Sequence, residues 1–246
     1  MDRVAAAARR SGRSPEDVLV VAVTKYAQPE QIRQLLEMGH SDFAENRVQH
    51  LADRVALVDT FIERHRILRP THEVHLPERV RWHMIGHLQR NKVKKVFDQV
   101  TLVHSVDTLR LAEEIQDVGM RKDRTMDVLL QVNCSFEKSK FGIALPAARH
   151  LAELIDTMVF VRLRGLMTMA PYTDDRHVIR GTFERCRDVL DDVRKAGIGG
   201  PACNILSMGM TNDFEIAIEC GANVVRIGSA IFGEPTTPAA DDDEDE

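Results

Sequence analysis

Apolar residues along this chain gather in eight short runs, at 19–24, 41–45, 82–86, 101–105, 127–132, 162–168, 203–207 and 224–228. Leu19-Val20-Val21-Ala22-Val23 shows no alternation, and unbroken β-branched runs read as strands buried on both faces. Between the runs, at 29–38, 47–64, 89–97, 107–119, 146–156, 175–197 and 211–220, the pattern predicts helices. Strict alternation of strand and helix implies parallel pairing with right-handed crossovers. Eight units favour closure into an α/β (β/α)8 TIM barrel, which typically needs ~250 residues; an open doubly wound sheet is the alternative. The 246 residues fit one such domain over 1–234.

Local signals mark the element ends. Pro29 and Pro146 suit first helical turns, where the missing N–H costs nothing. Asn212 and Glu215 have capping-box spacing before Ile216-Ala217-Ile218. Gly39, Gly119, Gly197 and Gly221 each follow a helical stretch, as C-terminal caps do. Segment 57–81 is the least regular, rich in Arg, His and Glu with Pro70 and Pro77, and reads as a helix extension followed by a surface loop.

Composition narrows the function classes. The net charge of −5 is concentrated at the end, because residues 241–246 are all acidic; without those six the body carries +1. A near-neutral body argues against nucleic-acid binding, which needs a basic face or stripe. Residues 235–246 read as a solvated, disordered acidic tail, with a partner-binding tail as the other reading. Cys134, Cys186, Cys203 and Cys220 form no C-x-x-C and no zinc-like cluster, so buried reduced thiols are expected. Met1-Asp2-Arg3-Val4 lacks a signal peptide's apolar segment, and no run approaches the ~20 apolar residues of a membrane span. The expectation is a cytoplasmic protein.

Candidate chemistry lies at strand ends. Lys25 closes the first apolar run, where α/β barrels place their active groups. A lysine snorkelling at a strand end is the plain reading. Against an apolar wall, desolvation lowers an amine's pKa, and a neutral amine can attack a carbonyl. Arg226-Ile227-Gly228-Ser229 ends the last strand in a turn whose glycine admits an anion and whose serine adds a donor. Ser207-Met208-Gly209-Met210 ends the strand before it, and barrels often bind phosphate at the turns after strands seven and eight. Arg226 is either an ion-pair partner or a fixed cation at the mouth. Asn46, His83 and Trp82 lie on or at the end of strands two and three, as core or pocket residues.

These pieces carry a resemblance. Val21-Ala22-Val23-Thr24-Lys25, Phe43-Ala44-Glu45-Asn46, Trp82-His83-Met84-Ile85-Gly86-His87-Leu88-Gln89-Arg90-Asn91-Lys92, Lys138-Ser139-Lys140-Phe141-Gly142, Gly165-Leu166-Met167-Thr168, Leu206-Ser207-Met208-Gly209-Met210-Thr211-Asn212-Asp213 and Val225-Arg226-Ile227-Gly228-Ser229-Ala230-Ile231-Phe232-Gly233 follow one another in order. Together, across about residues 4–234, they resemble the pyridoxal phosphate homeostasis protein family of vitamin B6 metabolism, single-domain relatives of the alanine racemase barrel. The resemblance implies that Lys25 holds pyridoxal 5′-phosphate as a Schiff base. It implies that Ser207, Gly228 and Ser229 bind the phosphate with backbone help near Met208, and that Arg226 lies against the pyridine nitrogen. Asn46 and His83 would be further pocket residues. Three departures stand out: Ala44 where the family usually has Gly, a short first helix, and a longer segment 57–81.

The expected chemistry is weak. A permanent cation beside the pyridine nitrogen disfavours its protonation and so weakens the ring as an electron sink. Racemases of this class also use a second acid/base, a tyrosine from an added β domain, and this chain has only Tyr26 and Tyr172. The implied function is therefore a monomeric, non-catalytic carrier or buffer of the cofactor that passes it to apo-enzymes, without nucleic-acid or membrane partners. The alternatives are a low-activity amino-acid racemase or lyase, and a sugar-phosphate isomerase or aldolase using Lys25.

Overall fold

Eight parallel strands close into a ring around a narrow interior. The structure is a computed structural model that describes residues 1–68, 76–137 and 140–234. The strands are β1 (Leu19–Val23), β2 (Asp42–Glu45), β3 (Arg81–Met84), β4 (Leu102–Val106), β5 (Met126–Asn133), β6 (Ile143–Ala144), β7 (Val161–Met167), β8 (Ile205–Ser207) and β9 (Val224–Ile227). The order β4-β3-β2-β1-β9-β8-β7-β5, with β4 pairing back to β5, makes the barrel; β6 is a two-residue addition beside β5. The register is broken between Val103 and Val106, so β4 bulges where it meets β5. The expected TIM barrel is thus the observed fold, with the eight apolar runs as its staves.

The helices are α1 (Asp2–Arg10), α2 (Pro29–Glu37), α3 (Val48–Leu68), α4 (Val93–Val96), α5 (Leu109–Lys122), α6 (Ala148–Asp156), α7 (Arg176–Lys195), α8 (Phe214–Glu219) and α9 (Ser229–Phe232). Outward-facing strand residues such as Ala22, Phe43, Trp82, Leu130, Leu166 and Val225 pack against them in one large core. Trp82 is therefore a core residue, its ring 5.5 Å from that of Phe43. Inside the ring, the buried apolar residues form two small clusters, Val21, Ala44 and Val224 on one side and Leu102, Leu129 and Met167 on the other. Ala44, the departure on β2, fills part of that first cluster.

Pro29 opens α2 as expected, and Gly39, Gly197 and Gly221 follow helices with positive φ. Gly119 differs: it lies within α5, where an added Cβ would meet the Phe160 Cβ at 2.7 Å, and Asp123 takes the left-handed cap position. The Asn212–Glu215 capping box does not form either. Asp213 precedes α8 and accepts from the Met210 amide at 2.6 Å, while Glu215 pairs with Arg3. The first helix, though short, docks on α8, and Arg13 behind it donates to the carbonyls of Ile218 (2.6 Å) and Ala222 (2.9 Å). Segment 57–81 is helical to Leu68 and the rest of it is described only from residue 76. The acidic tail 235–246, Lys138 and Ser139 lie outside the described residues. All four cysteines are buried free thiols, and among the described residues no helix is long and apolar enough to cross a membrane.

Candidate functional site

Lys25 sits two residues past β1, at the carboxyl-terminal mouth. Val21 and Val23 face the interior, and strand alternation carries the same side of the chain up to Lys25. Its side chain is half-buried, with Nζ 4.8 Å from the centre of the Tyr26 ring. Asn46 follows β2, and its buried Oδ1 has no hydrogen-bond partner among the described residues. Unsatisfied buried acceptors are rare, so this atom is poised for a donor from a bound molecule. Gly86 lets the neighbouring strand end come close, since a Cβ there would lie 1.9 Å from the Asn46 carbonyl oxygen.

Across the mouth, the last two strands end in the expected pair of turns, but the residues divide differently. Ser207 is the last residue of β8, in register with Val224 and fully buried. The Met208 amide is committed to the Val224 carbonyl at 3.1 Å, and its side chain is core. Thr211 stands on the turn itself. Its Oγ1 accepts from the Ser229 hydroxyl at 3.2 Å and from the Ala230 amide at 3.3 Å, so hydroxyls from both turns meet over Gly228 and the start of α9. Gly209 makes the intervening turn possible. It has φ +94°, and a Cβ there would meet Ala217 at 2.6 Å.

Arg226 forms the floor. It is buried, donating from Nη1 to Ser207 Oγ at 2.7 Å and from Nη2 to the Thr168 carbonyl at 3.0 Å. Burial lowers its pKa to about 10, with Asp213 opposing, so it remains a cation at neutral pH. The ion pair entertained from sequence is thus replaced by hydrogen bonds and longer-range attraction to Asp213. His83 is also inside the ring, beneath the mouth, where it meets His104 at 2.9 Å and Asp42 at 3.4 Å. Asp42, His104 and Thr211 were missed in the sequence. Inward parity on β2 and β4 could have flagged the first two, and Thr211 is the hydroxyl beyond the obligatory glycine of its turn.

The mouth therefore combines an amine, an unpartnered amide oxygen, a hydroxyl-lined turn and a buried cation beneath them. Residues 3–235 match the family described as "Alanine racemase, N-terminal domain", and the chain belongs to that class of barrel. A protein described only as unknown, from Bifidobacterium adolescentis, shares the fold with a TM-score of 0.83 and 37% identity, over 94% of this chain and 90% of that one. PipY of Synechococcus elongatus PCC7942, solved with PLP bound, gives a TM-score of 0.72 at 26% identity, over 94% of this chain and 100% of that one. The pyridoxal phosphate homeostasis protein of Aquifex aeolicus is 35% identical over 236 residues, 95% of this chain and 94% of that protein. Within its class, the chain belongs to the pyridoxal phosphate homeostasis protein family.

Proposed function

We propose that this protein binds pyridoxal 5′-phosphate at the barrel mouth and works in its homeostasis as a carrier and buffer, not as a strong catalyst. The observation that carries the reading is the pairing of Lys25 with the Thr211–Ser229 turn across one mouth, above the buried Arg226. The residues suit the group. Lys25 supplies the amine that captures the aldehyde, Thr211 with Gly228 and Ser229 grips the phosphate, and Asn46 Oδ1 awaits a ring donor. When bound, the cofactor supplies a reversible carbonyl for amines and an electron-withdrawing ring. Arg226 faces that ring as a standing positive charge, which opposes protonation of the ring nitrogen and keeps the sink weak.

The tyrosines also favour holding over turnover. Tyr26 lies on the lysine's own side, against its amine, and Tyr172 is 94% exposed on the loop after β7. Neither supplies an acid/base facing Lys25 across a substrate, which inversion of a stereocentre needs. Passing the cofactor to dependent apo-enzymes follows from reversible capture at an open mouth.

Reconstitution tests the reading. The loaded protein is expected to be yellow, to lose the colour with borohydride, and to carry the label on Lys25; Lys25→Ala should abolish both. A colourless protein that instead processes a sugar phosphate through Lys25 would overturn cofactor binding. Racemisation or lyase turnover of amino acids well above that of free cofactor, lost in Lys25→Ala, would overturn the carrier role.

A further inference from the structure

The barrel interior holds a continuous chain of buried polar side chains leading away from the site. Arg226 Nη1 donates to Ser207 Oγ at 2.7 Å, and Ser207 Oγ lies 2.9 Å from His104 Nδ1. His104 Nε2 is 2.9 Å from His83 Nδ1, and His83 Nε2 is 3.4 Å from Asp42 Oδ1. Arg81 closes the chain with two bonds to the Asp42 carboxylate, at 2.6 and 2.5 Å. Five strands contribute, and Asp42, His83, His104, Ser207 and Arg226 are all buried. Nothing in capture of an aldehyde at the mouth requires so much buried polarity beneath it.

With both imidazoles neutral, the two ends set the direction of every proton. A guanidinium only donates, so Ser207 Oγ accepts from Arg226. A carboxylate held by two arginine bonds stays ionised and only accepts, so His83 carries its proton on Nε2. His83 then presents a bare Nδ1, which accepts from His104 Nε2–H. His104 Nδ1 is left bare and accepts the Ser207 hydroxyl proton. Burial, with the Arg226 charge acting in the same direction, holds the His104 pKa well below the usual histidine range, which agrees with a neutral ring.

We infer that His104, oriented by His83 and Asp42, is a positioning residue for Arg226. By taking the only Ser207 proton it turns the Ser207 lone pair onto Nη1 and holds the guanidinium beneath the mouth. The inference deepens the proposed function, since the charge so fixed is the one that faces the cofactor ring.

Two measurements separate this role from a structural one. In the cofactor-free protein at about pH 8, long-range 15N–1H spectra should show both His83 and His104 protonated on Nε2 alone. A proton on His104 Nδ1 would overturn the assignment, and this result does not depend on cofactor binding. In the loaded protein, His104→Leu removes the acceptor, whereas His104→Asn keeps an oxygen near the Nδ1 position. His104→Leu should shift the absorption maximum of the bound cofactor and weaken its binding about tenfold, the scale of one lost buried hydrogen bond. His104→Asn should restore most of both. Ser207→Ala cuts the same link and serves if His104→Leu does not fold. A wild-type spectrum in these variants, or equal effects in Leu and Asn, would defeat the positioning role. If the wild-type protein takes up no cofactor while the Nε2 tautomers are observed, the proposed function fails and the hydrogen-bond assignment stands.

Discussion

A single hydroxyl changes the account of the anion turn. Ser207 and Ser229 look alike in the sequence, each beside a glycine-containing turn at the end of a late strand. The fold gives them different work, Ser207 accepting from Arg226 inside the ring and Ser229 meeting Thr211 at the rim. Thr211→Val keeps the shape but deletes the hydroxyl. It should weaken binding of pyridoxal 5′-phosphate about tenfold, as one charge-assisted hydrogen bond would, and leave binding of pyridoxal, which lacks the phosphate, unchanged. Titration of the two ligands side by side checks this; equal losses for both would remove Thr211 from the phosphate site. Lys25, Asn46 and Ser229 were legible at the mouth because strand-end position alone brings them there. The role of Ser207 was not, because it depends on which groups stand opposite it.

At the scale of elements, propensity and periodicity placed the strands and most helices within a few residues. The misses have local causes. Gly119 reads as a helix stop, yet α5 runs on because its glycine is wanted for close packing against Phe160. Asn212 reads as a cap, yet the tight turn at Gly209 draws Asp213 into a bond with the Met210 amide. The short α1 shows how little helix suffices when its neighbour is anchored. Arg13 caps the carbonyl end of α8, bonding Ile218 and Ala222 oxygens. Arg13→Ala should cost about 2 kcal/mol in urea unfolding, the scale of hydrogen bonds to a charged donor, without altering cofactor affinity. A loss of affinity matching the loss of stability would instead tie α8 to the site.

Considered whole, the molecule is a barrel with a partly polar interior, and that interior sets its response to acid. Burial, reinforced by the Arg226 charge, depresses the His104 pKa below its unfolded value of ~6.5, so the unfolded chain takes up that proton first. Stability from this group is complete above ~6.5 and is lost as the pH falls below it, by up to ~1.4 kcal/mol per unit. For Asp42, burial acts to raise the pKa, but hydrogen bonds from His83, Arg81 and Ser41 outweigh it and leave it well below the usual carboxylate range. Its contribution is present above ~4 and is lost as the pH falls further. Glu45, Asp107 and Asp213, raised mainly by burial, act in the opposite sense and favour the fold as they protonate. The comparison with His104→Asn isolates the histidine: between pH 7 and 5 the wild-type melting temperature should fall more steeply than that of the variant. Parallel slopes would show that His104 carries no such linkage.

Apolar runs and their spacing are properties of neighbouring residues, so the chain alone announced eight parallel strands, their covering helices, and which residues would reach the mouth. The family resemblance was legible for the same reason, being carried by ordered local motifs. The partners inside the ring were not legible in this way. His83 and His104 are 21 residues apart, and His104 and Ser207 are 103 apart. Whether a buried hydroxyl grips a ligand or an arginine depends on the donor that closure of the barrel brings within 3 Å, and only the folded ring decides that.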